Sequence, residues 1–178
     1  MNPLRTLHRF LRNRDGVSAV EFALLAPVMI VMYFGLAELS QGFMAQRRVE
    51  HTAATIADLT AQARSVSSAD LNDIFTIGKL VMKPFTTTGM TQRITSVTMT
   101  SGVAKVDWSV GNGGITALAT GSTVSLPANL IANGESVIMS QVSYTYHSPA
   151  DHVMPSAVVF NQTYYLRPRL VTTVSKTS

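Results

Sequence analysis

Between Phe22 and Ala37 the chain carries no charged residue, and the run is built from Leu, Val, Met, Ile, Ala and aromatics around a single proline, Pro27. Counted from Val17 to Leu39, a helix rising ~1.5 Å per residue is long enough to cross the ~30 Å hydrocarbon core of a bilayer. At the mouth of this run stands a carboxylate. The segment reads Arg14-Asp15-Gly16-Val17-Ser18-Ala19-Val20-Glu21-Phe22-Ala23-Leu24-Leu25, with Gly16 five residues before Glu21. A charged side chain at a bilayer centre costs ~2.5–3.5 kcal/mol, less near the interface, and such groups are usually functional. Nothing in ordinary anchor physics asks for Glu21, so something must read the glycine, the glutamate or both.

The length suits one soluble domain plus a membrane segment. The chain has 178 residues, of which only 13% are charged, against ~25% in a typical soluble domain. It has no cysteine, which removes disulfides, thiolate chemistry and Cys-ligated metals. The net charge of +4 sits in one place: residues 1–16 hold Arg5, Arg9, Arg12 and Arg14 against Asp15, and the remaining charges nearly cancel. A basic tail beside an apolar run is an orientation signal that stays cytoplasmic, so the charge does not point to nucleic acid.

The helical pattern continues past the apolar run. Leu39, Phe43, Val49, Ala53, Ile56, Leu59 and Ala63 recur at three- and four-residue steps, with Gln46, Arg47, Arg48, Glu50, Asp58 and Gln62 between them. Arg47 and Glu50 are spaced for a weak ion pair. The spacing predicts one helix from about Val17 to Arg64, with Glu21 and Glu38 near the two edges of its membrane half. Pro27 removes one backbone hydrogen bond and should kink or loosen that half. Ser68 is a candidate N-cap for a second helix carrying Leu71, Ile74, Phe75, Leu80 and Met82, ended by Pro84. Then the texture turns to strand. Gln92–Thr100 and Val103–Val110 read as a hairpin joined at Ser101-Gly102. Gly111–Gly121 reads as a loop. Ser136–Tyr146 puts Ile138, Val142, Tyr144 and Tyr146 on one face, and Asn161–Thr172 is a further strand with Pro168 at an edge or bulge. The expected fold is α+β: a long N-terminal helix packed through its upper half on an antiparallel sheet of about four strands.

A basic leader, a glycine, four small or apolar residues, a glutamate and an apolar helix together resemble the processing site of type IV prepilins and pseudopilins. In that family a membrane aspartyl protease, the prepilin peptidase, cuts after the glycine. The resemblance implies a cut between Gly16 and Val17, which places Glu21 at the fifth mature position. Val17 stands where the family usually has Phe. Gly16–Ser40, with Ala19-Val20-Glu21-Phe22-Ala23-Leu24 and Pro27, resembles the TadE-like family more narrowly, and Tyr164-Tyr165-Leu166-Arg167-Pro168-Arg169 is similar to the closing segment of such proteins. These are minor pilins or pseudopilins of the tight-adherence (Flp) pilus. The resemblance implies a pilin-like head, a stem that includes Phe22, Leu24, Leu25, Pro27, Ile30 and Phe34, and pairing of Glu21 with an N-terminal amine when stems pack together. A buried carboxylate without a cation is costly.

The expected organisation is therefore a cytoplasmic leader over 1–16, a membrane half of the helix over 17–39, an amphipathic half over 40–64, and an extracytoplasmic head over 65–178. The expected partners are the prepilin peptidase, other pilins, the assembly platform and the inner membrane, with no nucleic acid. The chain would first be a single-pass inner-membrane protein with a cytoplasmic N-terminus and periplasmic head, and then a part of the pilus. Two other readings remain: an uncleaved anchor whose head binds a partner in the envelope, and a secreted domain released near Gly35-Leu36-Ala37. Asp107-Trp108-Ser109-Val110-Gly111 echoes an ion-binding Asp-x-Ser-x-Ser motif, but with Gly at the last position. His147, Asp151 and His152 lack a third strong ligand. No catalytic motif is present, so no catalytic residue, metal or cofactor is expected.

Overall fold

In the computed structural model, residues 16–148 and 157–177 are described. Helix α1 (Val17–Ala61) is 45 residues long and continues through Pro27; at ~1.5 Å per residue it measures about 68 Å. It stops three residues short of the expected Arg64, where the Gln62 amide turns back onto the carbonyls of Asp58 and Thr60. There follow β1 (Ser65–Val66), α2 (Ser68–Val81), β2 (Thr91–Thr100), β3 (Val103–Asn112), β4 (Ser136–Tyr146), β5 (Val158–Leu166) and β6 (Ser175–Lys176). Strands β2 to β5 form an antiparallel sheet in the order β3-β2-β4-β5. The α+β architecture is the expected one. The parallel pair β1–β6 was not expected, since two residues per strand leave no periodicity to read.

The two halves of α1 live in different surroundings. Every large apolar side chain from Val17 to Leu36 is exposed. From Glu38 upward one stripe is buried, and it is made mostly of small residues: Gly42, Ala45, Val49, Ala53, Ile56, Ala57 and Ala61. Leu39 and Phe43, expected on this stripe, are instead 47% and 66% exposed. The reason is steric. The sheet brings the bulk, with Ile94, Trp108, Ile138, Val142, Tyr144 and Tyr146 in the shared core, so the helix can approach closely only with its small side chains. The expected Arg47–Glu50 pair is replaced by a bond from Gln46 Nε2 to Glu50 at 3.3 Å.

Helix α2 packs against α1 and closes the core with Leu71, Ile74 and Phe75; Leu80, expected inside, is exposed. Its N-cap is Ser67, one residue before the predicted Ser68. The Ser67 hydroxyl accepts from the Asp70 amide while the Asp70 carboxylate accepts from the Ser67 amide at 2.8 Å, a capping box. Gly78 is required by what lies over it. A Cβ there would stand 2.2 Å from Gln92 Oε1 and 3.0 Å from Ile56 Cγ2, and Gln92, fully buried, donates to the Phe75 carbonyl at 3.1 Å.

The predicted β2–β3 hairpin turns at Ser101 (φ 51°) and Gly102 (φ 78°), the two positive φ values of a type I′ turn. A register shift falls between Ser96 and Val97, where Ser96 pairs with Trp108 and Val97 with Val106. This bulge sends Trp108 into the helix-side core and Val106 to the other face. Strand β3 runs on to Asn112, so Gly111 belongs to the sheet and not to the expected loop. It is glycine because a Cβ would lie 2.1 Å from the Ile115 carbonyl oxygen, a close approach rather than a turn. The outer face carries a smaller cluster of Val97, Ala104, Ile131 and Val137. Strand β5 begins three residues before the expected Asn161 and ends at Leu166, so Pro168 lies beyond the strand rather than on its edge. The chain is drawn off the sheet there because the Arg169 amide donates to the Ala61 carbonyl at 2.9 Å and its guanidinium pairs with Asp58.

Two stability effects follow from α2. Gly78→Ala should destabilise the head by about 1–3 kcal/mol through overpacking against Gln92 and Ile56, read as a shifted urea midpoint of Trp108 fluorescence. Ser67→Ala should cost about 1 kcal/mol by loss of the cap. Hydrogen bonds from the Ser67 amide and hydroxyl hold the Asp70 carboxyl below its ordinary 3.8. Its contribution is therefore present at neutral pH and is lost as pH falls through the folded value, below 3.8. Urea midpoints measured down an acid series should show that loss in the parent and not in Asp70→Asn.

Candidate functional site on the stem

The junction Gly16–Val17 sits at the foot of α1. Gly16 is the N-cap of the helix, with φ −83° and ψ −15° and no side-chain cap bond. A Cβ added to it would meet nothing within 4 Å. Neither the backbone angle nor the packing among the described residues therefore calls for glycine, which costs more conformational entropy on folding than any other residue. The Gly16 carbonyl accepts the first helical bond, from the Val20 amide at 3.1 Å. The peptide bond after Gly16 thus lies in the opening turn, where helices fray.

Val17 and Glu21 are four apart in one helix, so they are neighbours on the same face, with Cβ atoms ~5–6 Å apart. An amine created at Val17 would stand within about one turn of the Glu21 carboxylate in the same chain. Phe22, Leu24, Leu25, Ile30 and Phe34 all point outward from the bare half of α1, around Pro27. The helix has one window long and apolar enough to span a membrane, and none of that window is buried in the head. This suits a single-pass membrane anchor. The arginines of residues 1–15 lie outside the described residues.

Glu38, at the far edge of the apolar run, is 2% exposed because the foot of the head covers it near Tyr146. Burial pushes the Tyr146 phenol above its usual 10.0, and the Glu38 carboxylate adds to that shift. The covering of Glu38 was not legible beforehand, since it depends on a strand more than a hundred residues away.

The other candidate residues serve the head. The Asp107 carboxylate accepts from the hydroxyls of Ser96 and Thr98, both at 2.8 Å, while Ser109 Oγ bonds Thr95 Oγ1 at 2.9 Å. The two side chains that echo the Asp-x-Ser motif thus turn to different partners. Asp151 and His152 lie outside the described residues. Among the described residues no group of His, Cys, Asp and Glu is placed to hold a metal. The segment Tyr164–Arg169 works as a strap. Arg167 pairs with Glu135 at 3.0 Å and donates to the Leu130 carbonyl at 2.9 Å, and Arg169 reaches Asp58 on α1. Beyond it, Trp108 Nε1 donates to the Val174 carbonyl at 2.7 Å.

No curated protein and no solved structure matches this chain. A family match does cover α1 almost to its end: residues 16–58, from the glycine at the foot of the helix to the aspartate that holds the strap, match the family described as TadE-like protein, in agreement with the resemblance carried by Gly16, Glu21 and Pro27.

Proposed function

We propose that this chain is a minor pilin or pseudopilin of a tight-adherence, Flp-type pilus, and that its role is structural rather than catalytic. The observation that carries this reading is Gly16: a glycine whose backbone angle and neighbours among the described residues do not call for one, five residues before a carboxylate, at the foot of a bare apolar helix within a TadE-like match. A glycine that the described residues do not require is one that another molecule can read. In this reading the reader is the prepilin peptidase, which cuts between Gly16 and Val17.

The physical sequence runs as follows. The basic leader stays in the cytoplasm, the stem holds the protein in the inner membrane, and the head faces the periplasm. Cutting frees an ammonium group at Val17 and removes the arginines that would otherwise sit where stems must pack. Stems then leave the bilayer for one another, and Glu21 loses both headgroups and water. A desolvated carboxylate left without a partner would cost several kcal/mol. The Val17 amine, in the same chain or in a neighbour, neutralises it. The subunit then acts in pilus assembly or initiation, and through it in surface adhesion.

The native N-terminus tests this most directly. Mass spectrometry of protein from cells should find Val17 first. Met1 would instead support an uncleaved anchor that works through its head, and a start near Glu38 a domain released by signal peptidase. Gly16→Leu should leave a product longer by the sixteen leader residues and abolish piliation; normal-size product from that variant would sink the peptidase reading. Glu21→Ala should reach the membrane in normal amount yet fail to enter the assembly, and wild-type pili from such cells would refute the charge pairing.

A further inference from the structure

We propose that the foot of the head carries a binding site for the phosphate headgroup of an anionic phospholipid, formed by Arg47, Arg48 and His51 over the apolar floor of Met44, Pro84 and Phe85. The inference rests on the stem being inserted in a bilayer.

The six residues line a cavity of about 350 Å³. Two of them are arginines, one is a histidine, and no acidic residue lines it. Glu50, which accepts from Gln46 at 3.3 Å, lines the adjoining cavity with Arg47 and His51, so it offsets one of the two arginine charges and the pair keeps a positive excess. Arg48 is steadied by its bond from Nη1 to the Val81 carbonyl at 3.4 Å. An excess of positive charge beside apolar surface fits a molecule that is anionic at one end and hydrocarbon at the other.

Its height on the helix selects a lipid over a free phosphate. On the side of α1 away from the head, exposed apolar residues continue past Leu36 to Leu39, Phe43 and Met44. Along that side the first charges are Glu21 below and Arg47 above, 26 residues apart. At ~1.5 Å per residue the separation is about 39 Å, close to the ~40–45 Å of a bilayer measured through its headgroups. With Glu21 among the inner headgroups, Arg47 and Arg48 stand among the outer ones. Helical side chains lean toward the N-terminus of their helix, which here is down toward the membrane, and long arginine stems can cover apolar surface while their guanidinium groups meet phosphate. Phe43 and Met44 then lie at the hydrocarbon edge directly beneath.

The test uses the full chain reconstituted into vesicles of phosphatidylcholine alone and of phosphatidylcholine with an equal amount of phosphatidylglycerol. Arginines are modified with phenylglyoxal and the sites mapped by mass spectrometry. Arg47 and Arg48 should react several-fold more slowly in the phosphatidylglycerol vesicles, while Arg64, beyond the end of α1, reacts equally in both. Met44→Glu, a change at an exposed position that places a repelling carboxylate in the cavity, should abolish the difference. Equal rates at Arg47 and Arg48 in the two vesicle types, slowing shared by Arg64, or protection that survives Met44→Glu would each overturn the site. Failure of the chain to float with either vesicle type would overturn the membrane insertion beneath it instead.

Discussion

One helix has to satisfy two solvents. Between Glu21 and Glu38 its whole circumference is apolar and bare; above Glu38, one narrow stripe of small residues meets the sheet while the opposite side stays exposed, apolar as far as Met44 and polar beyond it. The rest of the head is arranged around that change. The sheet supplies the large side chains because the helix cannot: Trp108, Tyr144 and Tyr146 fill the space that Ala45, Ala53, Ala57 and Ala61 leave open. A helix with a bulky face toward the sheet would hold it away, and a rod that is apolar all round would carry no head at all.

The upper end of the helix is fixed by distant parts of the chain. Arg169 binds Asp58 and the Ala61 carbonyl, Val174 accepts from Trp108, and Thr177 donates its amide to the Val66 carbonyl. The C-terminal segment therefore ties the last turn of α1, the β1–α2 connection and β3 into one unit. Exposed ion pairs such as Arg169–Asp58 contribute little each; the buried Trp108 bond and the backbone bonds carry the closure, because their groups would otherwise lose water without a partner. In the proposed role this matters mechanically, since the stem is then continuous with the core of the head and does not hinge on a loop.

Much of the architecture was legible because it rests on periodicity and turn chemistry. The long helix, the Ser101-Gly102 hairpin and the inward face of β4 are each written in adjacent residues. The errors share a different origin. Leu39 and Phe43 read as core by hydropathy but lost their places to Gly42 and Ala45, because a close approach rewards small volume over apolar character. Gly111 read as a loop residue yet lies in a strand, where it admits the Ile115 carbonyl. Pro168 read as part of a strand, but a long-range bond to Ala61 takes the chain off the sheet first. Of the candidate site, Gly16 and Glu21 were visible from the start. The covering of Glu38 and the gathering of Arg47, Arg48 and His51 with Pro84 and Phe85 were not.

What the amino-acid order determined alone is everything that depends on near neighbours: an apolar rod long enough to cross a bilayer, a glycine and a glutamate five apart at its foot, and strands with a two-residue turn. Those features need only the local geometry of one helix or one hairpin. The tertiary structure alone decided which side of the rod meets the head, why Gly78 and Gly111 must lack a Cβ, and where three basic side chains and an apolar floor converge. Each of these depends on surfaces brought together from segments tens of residues apart, and no pattern within a single segment encodes that distance.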